Sequence, residues 1–476
     1  MARLKRFQYV DKDHARIVND TIARIKQTYG ENSWNDFEED NAGRMMIEAF
    51  AYITDLLLFY LDRQANESYL LTATERQNII NLCKLIGYTP KNSTPAQADI
   101  LVSIENVNSN DVVLPSGTSI QTQSGLNFET VKDAVIPAGE PSANVTAVEG
   151  ETFTESLGLS NGKAWQNFYI SRSGILEILN ITINDHVWEY VESFADQDSS
   201  SEVFTVEIDA WRRAVISFGD GNNGKIPEAD ERIFVTYRVG GGIIGNVAPN
   251  TITVVRDIAQ DTKGNTVSIK VTNPDWASGG AEPESINSIK LWAPRHYETQ
   301  ERCVTEQDYD TFANTFNGIA KAKTVIDEEA RRKGEANIVH VYALTYGNKE
   351  NTVALANQAL KDSLLLHLNK YKMLTDWIEI HDGKFTAVNF IGTITIAKGF
   401  NANAILENVN AELNSLMDIN IRDMGEALRI SDVYSTLDNI EGVSFVELVN
   451  PNKTITPDKD ELLILGNTDF SVKVVT

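Results

Sequence analysis

The sequence predicts a multidomain α+β protein: an N-terminal helical bundle segment, a β-rich middle domain and a C-terminal α+β domain of ferredoxin-like arrangement. Three observations predict it. Apolar residues recur every three to four positions through the first stretch. The period becomes two from about Ala96 to Thr272, and beyond Asn273 helix-like and strand-like runs alternate. The expected divisions are 1–95, 96–280 and 281–476, and 476 residues are ample for several cores.

The helices come first. Val18, Ile22, Ile25 and Tyr29 are spaced 4, 3, 4. After the acidic turn Glu38-Glu39-Asp40, Met46, Phe50, Ile53, Leu57 and Tyr60 are spaced 4, 3, 4, 3, the average interval of a bundle or coiled-coil seam. Thr72 and Glu75 spell a capping box for a third helix through Ile79, Leu82 and Ile86. Gly87 suits the C′ position and Pro90 bars continuation. Two readings of the seam stand. The helices pack only on each other within one chain, or part of the seam is shared with other chains. Each large apolar side chain contributes roughly 1.5–3 kcal/mol on burial. Left in water, the stripe is a liability.

In the middle region, ADILVSI, TSIQTQ, NFETV, FTVEIDA and AVISF read as strands. Leu114–Gly117, Ile136–Gly139 and Val247–Asn250 read as turns, with Pro fixing φ and Gly or Asn accepting the left-handed region. Asp196–Ser201 reads as a mobile surface turn. Gly219–Lys225 spells G-x-x-x-x-G-K, but Ile226 replaces the Mg²⁺-binding hydroxyl, and Pro227 and a strand follow where a helix is required. As a calcium loop it places Gly224 and Lys225 where a ligand and the invariant glycine belong. The expectation is two strands joined by a Gly/Asn turn, with a second turn at Gly240–Gly242.

Beyond Asn273, Thr305 and Asp308 cap a helix carrying Tyr309, Phe312 and Phe316, followed by a strand at Lys323–Asp327. A strand (Ile338–Leu344), a helix (about Thr352–Leu374) and a strand pair (Trp377–His381, Phe385–Ala397) come next. Helices at Ala402–Met417 and Leu428–Leu437 precede a strand at Val443–Leu448.

Charge and composition exclude several functions. A net charge of −25 argues against a nucleic-acid partner, although Arg331-Arg332-Lys333 is locally basic. Two distant cysteines form no disulfide framework and suit a reduced compartment. The apolar run Ile53–Leu61 is too short to span a membrane, and MARLKRF lacks the features of a secretion signal. None of the six histidines stands in a metal-ligand spacing, and no nucleophile elbow occurs. Cys83 reads as a buried structural thiol, and Cys303 lacks a third orienting group. No enzyme, cofactor or metal is expected.

Several motifs resemble the baseplate J-like family, the wedge proteins of contractile phage tails and related contractile injection systems. Near the N-terminus these are Asp40-x-x-Gly43, Ile47-Glu48-x-Phe50-Ala51-Tyr52, Tyr60-x-Asp62-Arg63, Glu67-x-Tyr69-Leu70-x-Thr72-Ala73 and Leu85–Tyr88-x-Pro90. Further on come Leu114–Thr118 with Phe128, and Phe218–Pro227 with Tyr237 and Gly240–Asn246. The C-terminal part adds Gly279-Gly280, Glu284-Ser285, Ala293-Pro294, Arg302, Val304-Thr305, Asp308-Tyr309, Gly318–Ala322 and Gly442–Val446 with Pro451. The resemblance implies a structural subunit of the baseplate wedge, forming a ring around the central hub and transmitting the change that triggers sheath contraction. It implies a second copy of the chain, a differing wedge subunit, the sheath initiator and the hub as partners. It implies a place in the virion after assembly in the host cytoplasm. Interface residues would be Met46, Phe50, Ile53, Leu57, Tyr60, Arg63 and Glu67 in the wedge bundle, and Val443, Phe445 and Val446 in the C-terminal domain. The alternative is a β-rich carbohydrate-binding or host-attachment tail protein, which would need Trp165, Trp188, Trp211 and Trp276 gathered and exposed.

Overall fold

The computed structural model describes residues 12–30, 36–38, 41–208, 213–255, 258–326, 337–349 and 351–474. MARLKRF, Glu39, Asp40, Trp211, Asp327 and the basic Arg331–Lys333 lie outside the described residues. The chain divides into two units, Met1–Thr89 and Pro90–Thr476.

The first unit holds helices α1 (His14–Tyr29), α2 (Ala42–Glu67) and α3 (Arg76–Lys84). Asp13 caps α1 by accepting the Arg16 amide, and Asn41 caps α2 by accepting that of Gly43. α1 and α2 meet through Val18, Ile47 and Ala51, with Ile17, Ile22, Ile25 and Phe37 around them. α3 begins differently from expectation. The Thr72 hydroxyl donates to the Asn66 carbonyl at 2.6 Å, and Glu75 is an N-cap without a side-chain bond. The capping is done by Glu67, at the end of α2. Its carboxylate accepts from the Thr74 amide and hydroxyl (2.8 and 2.6 Å), the Glu75 amide (3.1 Å) and Asn78 Nδ2 (3.0 Å). A full negative charge satisfies a helix N-terminus better than a neutral hydroxyl. At the other end Gly87 has φ +73°, and the Tyr88 amide reaches the Cys83 carbonyl at 3.0 Å, a Schellman closure.

The second unit opens with β1 (Gln97–Ile104), β2 (Val112–Leu114), β3 (Ser119–Thr122), β4 (Asn127–Thr130), β5 (Ala134–Ile136), β6 (Ser142–Glu149), β7 (Glu151–Leu159), β8 (Asn167–Tyr169) and β9 (Ile175–Ile183). It continues with β10 (His186–Tyr190), β11 (Val203–Ile208), β12 (Ala214–Phe218), β13 (Arg232–Val239), β14 (Ile252–Val255), β15 (Ala259–Asp261), β16 (Thr266–Val267) and β17 (Ile269–Thr272). They form sheets in the orders β14-β3-β4-β6-β1-β17, β7-β13-β9-β10-β11-β12-β8 and β16-β15-β2-β5. One core gathers Ile100, Ile120, Phe128 and Ile252, another Trp188, Phe218, Val235 and Tyr237. The three Pro turns form as expected, with Gly117, Gly139 and Asn250 at positive φ.

Two expectations fail here. β12 and β13 share a sheet but do not pair; β9, β10 and β11 lie between them, so 219–231 is a crossover loop and no hairpin. Asp196–Ser201 is held in place, because its Asp198 and Ser201 carbonyls accept the Gly224 and Lys225 amides at 3.1 and 2.8 Å. Turn residues report local φ, whereas pairing is decided by distant strands.

The C-terminal part contains α4 (Ile286–Thr299), α5 (Glu306–Asn314), β18 (Ile319–Ile326), β19 (Asn337–Tyr346), β20 (Val353–Leu355), α6 (Gln358–Tyr371), β21 (Asp376–Asp382) and β22 (Lys384–Ile396). α7 (Ala402–Leu416), α8 (Ile430–Asp438), β23 (Val443–Asn450) and β24 (Glu461–Val474) complete it. The Thr305–Asp308 capping box is present, and Tyr309 and Phe312 are buried beneath it. One sheet runs β18-β19-β20, with β21 parallel to β19; the other runs β23-β22-β24. Two expectations are corrected. β21 and β22 belong to different sheets, and the helix expected from about Thr352 starts at Gln358, after the strand β20; the long strand β24 is an element the sequence reading lacks.

The strands of the middle and C-terminal parts are joined at Asn246, which is 1% exposed. Its Nδ2 lies 2.8, 2.9 and 3.1 Å from the carbonyls of Gly280, Tyr346 and Gly347, and its Oδ1 accepts the Gly280 amide at 2.9 Å. Gly280 has no room for a side chain: a Cβ there would stand 2.3 Å from the Gly242 carbonyl. The separate glycine motifs of the sequence therefore converge on one amide.

Two predictions follow from these contacts. Asn246→Ala strands buried carbonyls and lowers stability by on the order of 2–3 kcal/mol, read as a lower midpoint in urea unfolding. Burial pushes the Glu67 carboxyl up, but hydrogen bonds from Asn78, Thr74 and Glu75 outweigh it and hold it at about 2. A lowered folded-state value gives stability that is present above about pH 4.5 and lost as pH falls toward 2. Hydrogen exchange of α3, corrected for intrinsic rates, therefore accelerates between pH 5 and 3 in the natural chain, while Glu67→Gln exchanges faster already at pH 7.

Candidate assembly surface

α2 carries far more apolar surface than α1 covers. Ile47 and Ala51 face α1 and are 8% and 2% exposed. Met45, Met46, Phe50, Tyr52, Ile53, Leu56, Leu57, Phe59, Tyr60 and Leu61 are each between 42% and 65% exposed. The predicted seam residues thus lie together along one helix, but they are not what joins α2 to α1. Sequence reading found the stripe and missed its width, because Met45, Tyr52, Leu56, Phe59 and Leu61 fall outside the 4, 3, 4, 3 series. A helix apolar on most of its circumference is built for burial.

A shallow groove of about 520 Å³ lies where α2 meets α3, lined by Leu57, Tyr60, Leu61, Arg63, Glu67 and Glu75 among others. Arg63 pairs with Glu75 across it. Both side chains are more than half exposed, so the pair adds little stability. Glu67 is committed to the α3 amides and is 7% exposed.

In the C-terminal region, β23 is an edge strand that among the described residues pairs only with β22. Phe445 is 56% exposed on it. Val446 points into the core with Ile394, Val409 and Leu437, and Val443 is partly buried against the same core. Of the three predicted residues, Phe445 alone is presented to solvent. Val449, 67% exposed and four residues on, shares its face.

The loop Gly219–Lys225 is closed to a nucleotide. Its Asp220 carboxylate accepts the Asn222 and Asn223 amides at 2.8 and 2.7 Å, Lys225 Nζ is held by Glu202 at 2.6 Å, and the next element is a strand. Cys303 is fully buried; burial first, and then the charges of Asp308 and Asp376, push its thiol up to about 12, the wrong direction for a nucleophile. Lys321, in the family-like Gly318–Ala322 stretch, is 1% exposed and reaches Asp423 at 3.0 Å, a structural role. Trp188 lies in a core, and only Trp165 and Trp276 of the described tryptophans named for sugar binding keep substantial exposure. The histidines hold one surprise: His340 and His381 stand together with Glu379 on a sheet face. No described helix is long and apolar enough to cross a membrane.

Comparison with known proteins gives three family matches in chain order. Residues 13–85 match the bacteriophage baseplate protein N-terminal domain, 301–380 the baseplate J-like central domain, and 388–471 the baseplate J-like protein C-terminal domain. The glycine-rich stretch Phe218–Asn246 lies between the first two ranges. The chain is 23% identical over 353 residues to baseplate wedge protein gp6 of Enterobacteria phage T4, spanning 64% of this chain and 51% of that protein. It therefore spans about half the length of the relative it matches. A chain in the cryo-EM structure of the anti-feeding prophage baseplate is similar at 13% identity and a TM-score of 0.29, covering 94% of this chain and 90% of that one. In chain order, the protein therefore carries a bacteriophage baseplate N-terminal domain followed by baseplate J-like central and C-terminal domains.

Proposed function

We propose that this chain is a structural subunit of a phage-tail baseplate, working as part of a wedge. The observation that carries the reading is the uncovered face of α2, within the range that matches the baseplate N-terminal domain. In this reading Met46, Phe50, Ile53, Leu57 and Tyr60 are covered by helices of neighbouring chains: a second copy and a differing wedge subunit. Arg63 sits at the end of that seam as a polar contact, and Glu67 acts indirectly by fixing α3. Completing the burial of ten such side chains supplies on the order of 10 kcal/mol, enough to exceed a substantial part of the entropy lost on association.

The exposed Phe445 and the open edge of β23 form a second contact, between wedges, closing them into a ring around the hub and beside the sheath initiator. The divisions 1–95, 96–280 and 281–476 would then separate bundle, spacer and ring contact. A ring held by such interfaces has two arrangements, and switching between them transmits the trigger for sheath contraction. The product is part of the virion tail, assembled in the host cytoplasm, and no step of this function breaks a covalent bond.

Coexpression with the neighbouring tail genes, followed by mass photometry, tests the reading. The natural chain enters a discrete heteromer. Phe50→Asp and Leu57→Asp each lower its yield at least tenfold, while far-UV circular dichroism of the β-rich region is unchanged. Normal assembly by both variants rules out α2 as the shared surface.

A further inference from the structure

β19 and β21 run parallel, with His340 opposite Glu379 and Tyr342 opposite His381. Residues two apart on a strand share a face, so His340, Tyr342, Glu379 and His381 line one side of the sheet. The other side sends Val339, Val341 and Ile378 into the core. Three side-chain atoms converge on the open side. His340 Nδ1 lies 3.0 Å from His381 Nε2, and Glu379 Oε2 lies 3.4 Å from the first and 3.5 Å from the second. The same atom of each residue takes part in both of its contacts, so the three form a closed triangle.

Hydrogen bonding accounts for only one side of that triangle. A single proton between the imidazoles satisfies the 3.0 Å contact. The carboxylate oxygen is then too far from either nitrogen for a charge-assisted bond, which prefers about 2.7–2.9 Å. A cation between all three atoms satisfies every side at once. Zinc binds His nitrogen at about 2.0–2.1 Å and carboxylate oxygen at about 2.0–2.2 Å. Tetrahedral bonds of that length set neighbouring ligand atoms about 3.3–3.4 Å apart, and octahedral bonds about 3.0 Å. The three distances average about 3.3 Å. Two imidazoles and one carboxylate are also the wrong donors for calcium or magnesium, which take oxygen.

We propose that His340, Glu379 and His381 form a three-ligand site for a divalent transition-metal ion of the zinc type. The side chains are 24%, 41% and 41% exposed, so the fourth coordination position opens to solvent and takes water. Tyr342 flanks the site, its ring 5.4 Å from that of His381. The ion clamps β21 to β19, which is the one strand it pairs with among the described residues. α6 forms the crossover between these strands, so the clamp fastens a connection that spans the sheet.

The test uses the full chain without a polyhistidine tag, stripped with chelator and titrated with zinc sulfate by calorimetry. Bound metal is counted by mass spectrometry after desalting. The expected result is about one zinc per chain and a higher unfolding temperature, with magnesium giving neither. The double variant His340→Ala/His381→Ala binds none, and Glu379→Gln binds at least about tenfold more weakly. Cobalt(II) in place of zinc shows the strong visible absorption of a four-coordinate ion, a readout on the natural chain that stands even if the double variant fails to fold. Absence of zinc binding, equal binding by the natural chain and the double variant, or a weak six-coordinate cobalt spectrum would each overturn the proposal.

Discussion

Water is a poor neighbour for α2, and that constraint organises the N-terminal unit. The helix has 26 residues, which at about 1.5 Å each make a rod of roughly 39 Å. α1 is 16 residues long and covers one line of it, through Ile47 and Ala51. The remainder is rich in Phe, Tyr, Leu and Met, side chains that bury large areas and adapt to irregular partners. An isolated helix of this kind aggregates or associates. The first outcome is a hazard, and the second is what an assembly subunit needs. The Glu67 cap on α3 fits this logic, since it fixes the turn at the end of α2 with a charge while leaving the apolar stripe untouched.

The second unit obeys the opposite rule. Much of its polar interior is enclosed, and its middle and C-terminal parts are tied by buried hydrogen bonds. Asn246 joins the end of the glycine-rich segment to Gly280 and to the turn after β19. Glu149, 1% exposed, accepts the Gly241 amide at 2.7 Å, and burial raises its carboxyl above the ordinary range. The glycines around it are there for space: a Cβ at Gly240 would lie 2.5 Å from Glu149 Oε1. Such a packed polar junction holds one arrangement and resists intermediate ones.

What was legible in the sequence was local. Helix and strand periods, the Thr305–Asp308 box, the Gly87 stop and the Pro turns depend on residues within a few positions of one another, and they appear as read. The α2 stripe was legible for the same reason. Errors came wherever distant segments decide. T-x-x-E at Thr72 lost to Glu67 arriving from the preceding helix. The β12–β13 link looked like a hairpin because its turn residues suit one, yet β13 pairs with β7 and β9. β24 was overlooked although ELLILGNTDFSVKV is strand-like, because no motif pointed to it; its length is explained by parallel pairing with β22, nearly eighty positions earlier. The His340, Glu379 and His381 group was invisible for the same reason, since the fold brings together positions about forty residues apart.

Among the described residues, the reactive groups singled out in the sequence stand in structural surroundings. Reactive groups need exposure and a tuned proton affinity. Here Cys303 is sealed and its thiol pushed up, Lys321 is tied to Asp423, and Lys225 to Glu202. These three groups serve the interior or an ion pair, whereas His340, Glu379 and His381 stay open on a sheet face. Two apolar surfaces are open as well: the α2 rod in the first unit and, in the second, an edge strand bearing Phe445.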